Sequence, residues 1–125
     1  MRALAVPEPG DIVKIWMPER EDVFRPGPKF RPVLILAVDE RDGCAEVQVV
    51  YGTSQRTDRR DSGEFVVFPS ELPLEKPTKF ALAKTYWLPL TPEYFVSNGQ
   101  QCYVGRLAGK ATDRLRFAAK EVGLL

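Results

Sequence analysis

The chain of 125 residues is 44% apolar and 28% charged, carries a net charge of +1 and contains no histidine. That length holds one hydrophobic core, so a single domain over residues 1–125 is expected, and the charge balance gives no overall field for nucleic acid; a polyanionic partner would need cations gathered locally. Imidazole acid–base and Ser-His chemistry are excluded, and Cys44 and Cys102 alone make neither a disulfide framework nor a zinc site, so no metal or other cofactor is expected.

The N-terminal MRALAVPEPG has too short an apolar run for a signal peptide, and no stretch reaches the roughly 20 apolar residues of a spanning helix. A cytoplasmic protein without membrane contact is therefore the expectation. DIVKIWM (11–17), preceded by the breaker Pro9-Gly10, is the first predicted strand. PEREDVFRPGPKF (18–30) is too proline-rich for a strand interior and is expected as a loop over one end of the fold. KFRPVLIL (29–36) then places Lys29 and Arg31 at the mouth of RPVLILAV (31–38), a continuous apolar run that reads as a strand buried on both faces. Pro32 fits only at the start of such a strand, where no ladder donor is needed. DERDGC (39–44) carries an Asp42-Gly43 turn signal, and AEVQVVYGTS alternates Ala45, Val47, Val49 and Tyr51 with Glu46 and Gln48, which completes a hairpin.

QRTDRRDSGE (55–64) is polar and reads as a loop. FVVFPS (65–70) is a short strand closed by Pro69, and TKFALAKTYWLPL (78–90) a longer one rich in β-branched and aromatic residues. Tyr94 and Phe95 follow Pro92 as a short helical turn, and VGRLAG (104–109) reads as a turn into the last element. From residue 110 to 122, Ala111, Leu115, Ala118, Ala119 and Val122 fall at helical spacing, with Gly123 as the stop. Short strands joined by hairpins and one late helix predict a mainly β fold, a small curved antiparallel barrel with a C-terminal α-helix. Trp16, Tyr86 and Trp87 are expected in the core, with a dimer face as the alternative, while Phe24 and Phe30 are free to stack on unpaired bases.

GDIV (10–13), RPVLIL (31–36), VVYGTSQ (49–55), LEKPTKFALAKT (74–85) and VGRL (104–107) resemble, in order and spacing, the successive signatures of the MazF and PemK family of toxins across almost the whole chain. The resemblance implies an SH3-like barrel, a homodimer, and the toxin of a type II toxin–antitoxin pair. Such a toxin is a metal-independent endoribonuclease that cuts single-stranded RNA through attack of the ribose 2′-hydroxyl on the adjacent phosphate. Its partner is a cognate antitoxin, with operator DNA reached only through that antitoxin.

The arginine of the family's RP motif falls on Arg31 and its Ser or Thr at the end of the next strand on Ser54, the implied catalytic pair. The chemistry suits both positions. Negative charge gathers on the non-bridging oxygens of the transition state, where a guanidinium gives two parallel hydrogen bonds and a hydroxyl one more. Lys29, Gln55, Arg56, Arg59, Arg60 and Lys79 are the candidate RNA contacts. One departure stands out: the Arg and Asp that some PemK-type members carry two residues apart fall here on Lys79 and Ala81, so the acid is missing. The remaining carboxylates near Ser54 in sequence are Asp58, Asp61 and Glu64.

Each assignment has a plainer alternative. Arg31 at a strand mouth pairs with an acid such as Asp39 or Glu46; Ser54 bonds its own turn backbone; the 55–64 run is a solvated loop with weak ion pairs. The corresponding function is a non-catalytic barrel that binds nucleic acid or an acidic peptide.

Overall fold

The computed structural model describes residues 4–19 and 24–125. The strands read from the sequence all form: β1 (Asp11–Met17), β2 (Lys29–Arg41), β3 (Cys44–Thr53), β4 (Glu64–Val67) and β5 (Thr78–Pro89). A one-turn α1 (Pro92–Phe95) buries Tyr94 and Phe95, β6 (Val96–Ser97) and β7 (Gln100–Arg106) follow, and α2 (Lys110–Glu121) ends the fold. Within the proline-rich 18–30 segment, β2 begins at Lys29, Phe24 is exposed, and residues 20–23 lie outside the described residues.

The seven strands make one antiparallel sheet in the order β4-β5-β3-β2-β1-β7-β6. Both of its faces are covered, which explains the unbroken apolar run of β2. Val33, Leu34 and Ile35 are all fully buried, yet Leu34 joins one cluster, with Ile12, Val50, Phe65, Phe80 and Ala118 of α2. Val33 and Ile35 join the other, with Ile15, Val47, Val49, Leu88 and Phe95 of α1. Register shifts between Ile35 and Ala37 on β2 and between Val50 and Gly52 on β3 mark local irregularities of the kind that increase strand bend and twist. The Asp42-Gly43 turn forms as expected, both residues at positive φ (49° and 78°), as a two-residue hairpin of this kind requires.

Two expectations are corrected. The sheet does not close into a barrel: among the described residues no ladder joins β4 to β6 or β7. β4 stops after four residues as the chain approaches Pro69, which has no N–H to donate. Side chains fill the gap instead, with Leu72 lying so close to Gly105 of β7 that a Cβ there would sit 2.6 Å from Leu72 Cδ2. The free edge of β4 is in turn capped by α2, whose Arg114 donates from Nε to the Val66 carbonyl at 3.0 Å. The second correction concerns residues 104–106, which are the end of β7 rather than a turn. Among the aromatics, Trp16 is half-buried and donates from its indole to the Val96 carbonyl at 2.9 Å, but Trp87 is 47% exposed while its neighbour Leu88 takes the core position. Among the described residues no helix is long and apolar enough to cross a membrane.

Candidate nucleic-acid interface

β1, β2 and β3 run side by side, and their registers set Ile15 opposite Arg31, Lys14 opposite Pro32 and Val33 opposite Tyr51. Where β3 ends, these strands enclose a cleft of about 250 Å³ lined by Lys14, Arg31 and Tyr51, by Ser54 and Gln55 just beyond the strand, and by Glu75 and Lys76 from the loop before β5. Gly52 allows the strands to close up beneath it. A Cβ there would lie 2.7 Å from Thr78 Cγ2 and 2.8 Å from Phe80 Cε1, so any side chain would wedge β3 away from β5.

The structure thus brings Arg31, Ser54 and Gln55 together. Arg31 is exposed and makes no hydrogen bond or ion pair among the described residues. Its plainer assignment fails for a reason of register: Asp39 and Glu46 face each other at the far end of the β2–β3 ladder. Ser54 also departs from the plainer reading. The turn hydroxyl is that of Thr53, which accepts the Gln55 N–H at 3.1 Å, so the exposed Ser54 hydroxyl has no partner among the described residues. Lys29 is exposed and lines an adjoining groove of about 510 Å³ with Lys84 and Tyr86. Arg31 and Tyr51 belong to both hollows and join them.

The remaining candidates occupy a second cluster, built around the 55–64 loop. Lys79 is buried at 8% exposure beneath it, where its ammonium donates to the Arg56 and Arg59 carbonyls, each at 3.0 Å, and lies 3.3 Å from Glu64 Oε1. Its three oxygen partners leave no donor turned toward the cleft. Arg60 forms a two-pronged ion pair with Glu121 of α2, donates to the Glu64 carbonyl at 3.2 Å and stacks on the Phe117 ring. Lys79 and Arg60 therefore hold the loop together. Arg56 and Arg59, by contrast, are exposed, and their guanidinium groups make no ion pair among the described residues.

Burial raises the pKa of the Glu64 carboxyl, but the Asp61 backbone N–H at 2.8 Å and the Lys79 ammonium outweigh it, leaving the group below the ordinary glutamate range. Glu121 is lowered by Arg60 and by the Gly63 N–H. None of Asp58, Asp61 and Glu64 lines the cleft; the acid that does so among the described residues is Glu75. Sequence reasoning passed over Glu75 because no local pattern marks this acid within LEKP (74–77); the loop before β5 brings it to the cleft. Among the described residues no group of three or more Cys, Asp or Glu side chains is placed to hold a metal ion. The chain matches no family model and no curated protein sequence.

Proposed function

We propose that the chain is an endoribonuclease that cuts single-stranded RNA without a metal, as MazF and PemK toxins do, and that its cellular partner is an antitoxin. One observation carries this: the Arg31 guanidinium and the Ser54 hydroxyl, both without a partner among the described residues, line one cleft whose other charged groups among those residues, Glu75 apart, are the cations Lys14 and Lys76. Three cations that form no ion pair among the described residues, against one carboxylate, suit a phosphodiester.

The ribose 2′-oxygen attacks the adjacent phosphorus and the bond to the 5′-oxygen breaks. Arg31 takes the charge building on the non-bridging oxygens through two hydrogen bonds, and Ser54 donates a third. The adjoining groove with Lys29, Lys84 and Tyr86 carries the strand onward, offering cations to its phosphates and an aromatic surface to its bases. The SH3-like character implied by the motifs enters here as an open relative of that barrel, with Leu72 in place of the closing ladder. The carboxylate missing at Ala81 has a counterpart across the sheet, since Glu64 is its register partner and meets Lys79. That pair serves the loop, so the chemistry rests on the cleft.

A dimer is part of the proposal, supported by the exposed apolar side chains of Trp87 and Tyr103; light scattering should return about twice 14.1 kDa. The decisive experiment incubates purified protein with a long unstructured RNA in excess chelator. Fragments ending in 2′,3′-cyclic phosphate are expected, and DNA of the same sequence should survive because it lacks the attacking hydroxyl. Dependence on magnesium, or 3′-hydroxyl ends, would overturn the mechanism. Binding without any cleavage would favour the non-catalytic alternative.

A further inference from the structure

The geometry points to Glu75 as the general base of the cleft, an assignment that rests on the endoribonuclease reading. A 2′-hydroxyl is a poor nucleophile until a base draws off its proton, and with no histidine in the chain a carboxylate is the natural acceptor. The acids of the polar loop are placed elsewhere: Glu64 accepts from Asp61 N–H and faces Lys79, and Asp58 and Asp61 do not line the cleft. Glu75 lines the same cleft as Arg31 and Ser54, is exposed, and makes no hydrogen bond or ion pair among the described residues.

Its position is hard to explain by binding alone. A carboxylate among Lys14, Arg31 and Lys76 repels the phosphates those cations attract, so it weakens affinity for a polyanion. Nor does it anchor its loop, since no described group donates a hydrogen bond to its carboxylate. A group that opposes substrate binding and holds no structure is accounted for by the reaction itself. In the step assigned to it, the 2′-hydroxyl proton passes to the Glu75 carboxylate as the O2′–P bond forms and the P–O5′ bond breaks. The leaving 5′-oxygen takes a proton from water, and the hydroxide so formed takes the proton from Glu75. The products are a 2′,3′-cyclic phosphate and a 5′-hydroxyl, with no change of oxidation state.

The test compares wild type, Glu75→Gln and Glu75→Ala in single-turnover cleavage, beside binding of an oligonucleotide made uncleavable by 2′-deoxy substitution. Glu75→Gln should cut roughly 100-fold or more slowly, the scale of a lost general base, while binding the uncleavable strand as tightly as wild type or more tightly. Added formate should restore part of the rate to Glu75→Ala and leave Glu75→Gln unmoved, a rescue that a merely structural residue would not show. Wild-type cleavage by Glu75→Gln, or equal losses of rate and binding, would overturn the assignment while leaving the endoribonuclease reading in place. A wild-type protein that binds the strand and never cuts it would overturn both.

Discussion

Lys79 and Arg31 are cations on strands that flank β3, and the fold treats them in opposite ways. Lys79 lies buried under the 55–64 loop with two carbonyls and Glu64 around its ammonium, while Arg31 stands in an open cleft with no partner among the described residues. Arg60 belongs with the first, tied to Glu121 of α2; Lys14 and Lys76 belong with the second. The contrast separates charge that builds the protein from charge left for a ligand. A basic residue already satisfied by protein oxygens contributes order, and one without a protein partner contributes potential.

The largest effect expected from breaking this contrast is at Arg31. Arg31→Ala should lower single-turnover cleavage by roughly 100-fold, about 2.7 kcal/mol of transition-state stabilisation, and leave the melting temperature within a degree or so, because no group among the described residues bonds to that guanidinium. Arg31→Lys should restore little, since an ammonium does not offer the planar two-pronged contact. A destabilised Arg31→Ala that turns over like wild type would reverse the assignment.

Lys79→Met is the mirror experiment. It removes the donor to two loop carbonyls and leaves Glu64 facing Met at 16% side-chain exposure, so a loss of about 2 kcal/mol is expected, a fall of roughly 8 °C in melting temperature for a domain this size. Cleavage per folded molecule should stay within a few-fold of wild type. A cleavage defect as deep as that of Arg31→Ala, with the melting temperature unchanged, would move Lys79 into the RNA site.

Why the sequence separated these two poorly is a matter of distance along the chain. Arg31 and Ser54 belong to local motifs, and motifs are legible. The partners that occupy Lys79 and Arg60 come from a neighbouring strand and from the C-terminal helix, so an arginine-rich loop looks equally free whether or not it is pinned. The same logic runs through the fold. β2 could be read because both its faces are buried, and α2 because its alanines recur at helical spacing. The β6–β7 hairpin was missed although Asn98-Gly99 is a turn signal with both residues at positive φ: Gln100, Gln101 and Gly105 are weak strand formers, and pairing with β1 decides the matter. Trp87 and Leu88 are apolar neighbours pointing to opposite faces, and nothing local says which faces out.

Acid sharpens the contrast with a smaller effect. Glu64 and Glu121 both have lower pKa values in the fold than as free side chains, so the native state binds fewer protons than the unfolded one as pH falls. Their contribution to stability is complete above the ordinary glutamate value of about 4.3 and is lost as pH falls below it through the lowered folded values. Thermal melts from about pH 6 downward should show that decline, and Glu64→Gln should flatten it. Arg31→Ala should leave the profile as it is in wild type, because Arg31 makes no ion pair among the described residues.

The smallest effect belongs to the groove beside the cleft. Lys29 and Lys84 are exposed there, with Glu19 as the one acid among the described residues of its lining and Arg31 shared with the neighbouring cleft. Lys29 and Arg31 are two residues apart on β2, so their side chains leave the same face of the strand about 6.6 Å apart, close enough for one extended strand of RNA to meet both. On the proposed function, an ammonium here adds a phosphate contact and takes no part in the chemistry. Lys29→Ala and Lys84→Ala should each reduce the slope of log affinity against log salt by about 0.7, the release of one counterion from a single strand. Turnover at saturating RNA should hold near wild type. The two sites are separate side chains, so the double variant should lose both increments additively. An unchanged slope in the double variant would confine the RNA to the cleft of Arg31 and Ser54, and would return the groove to the protein's own surface.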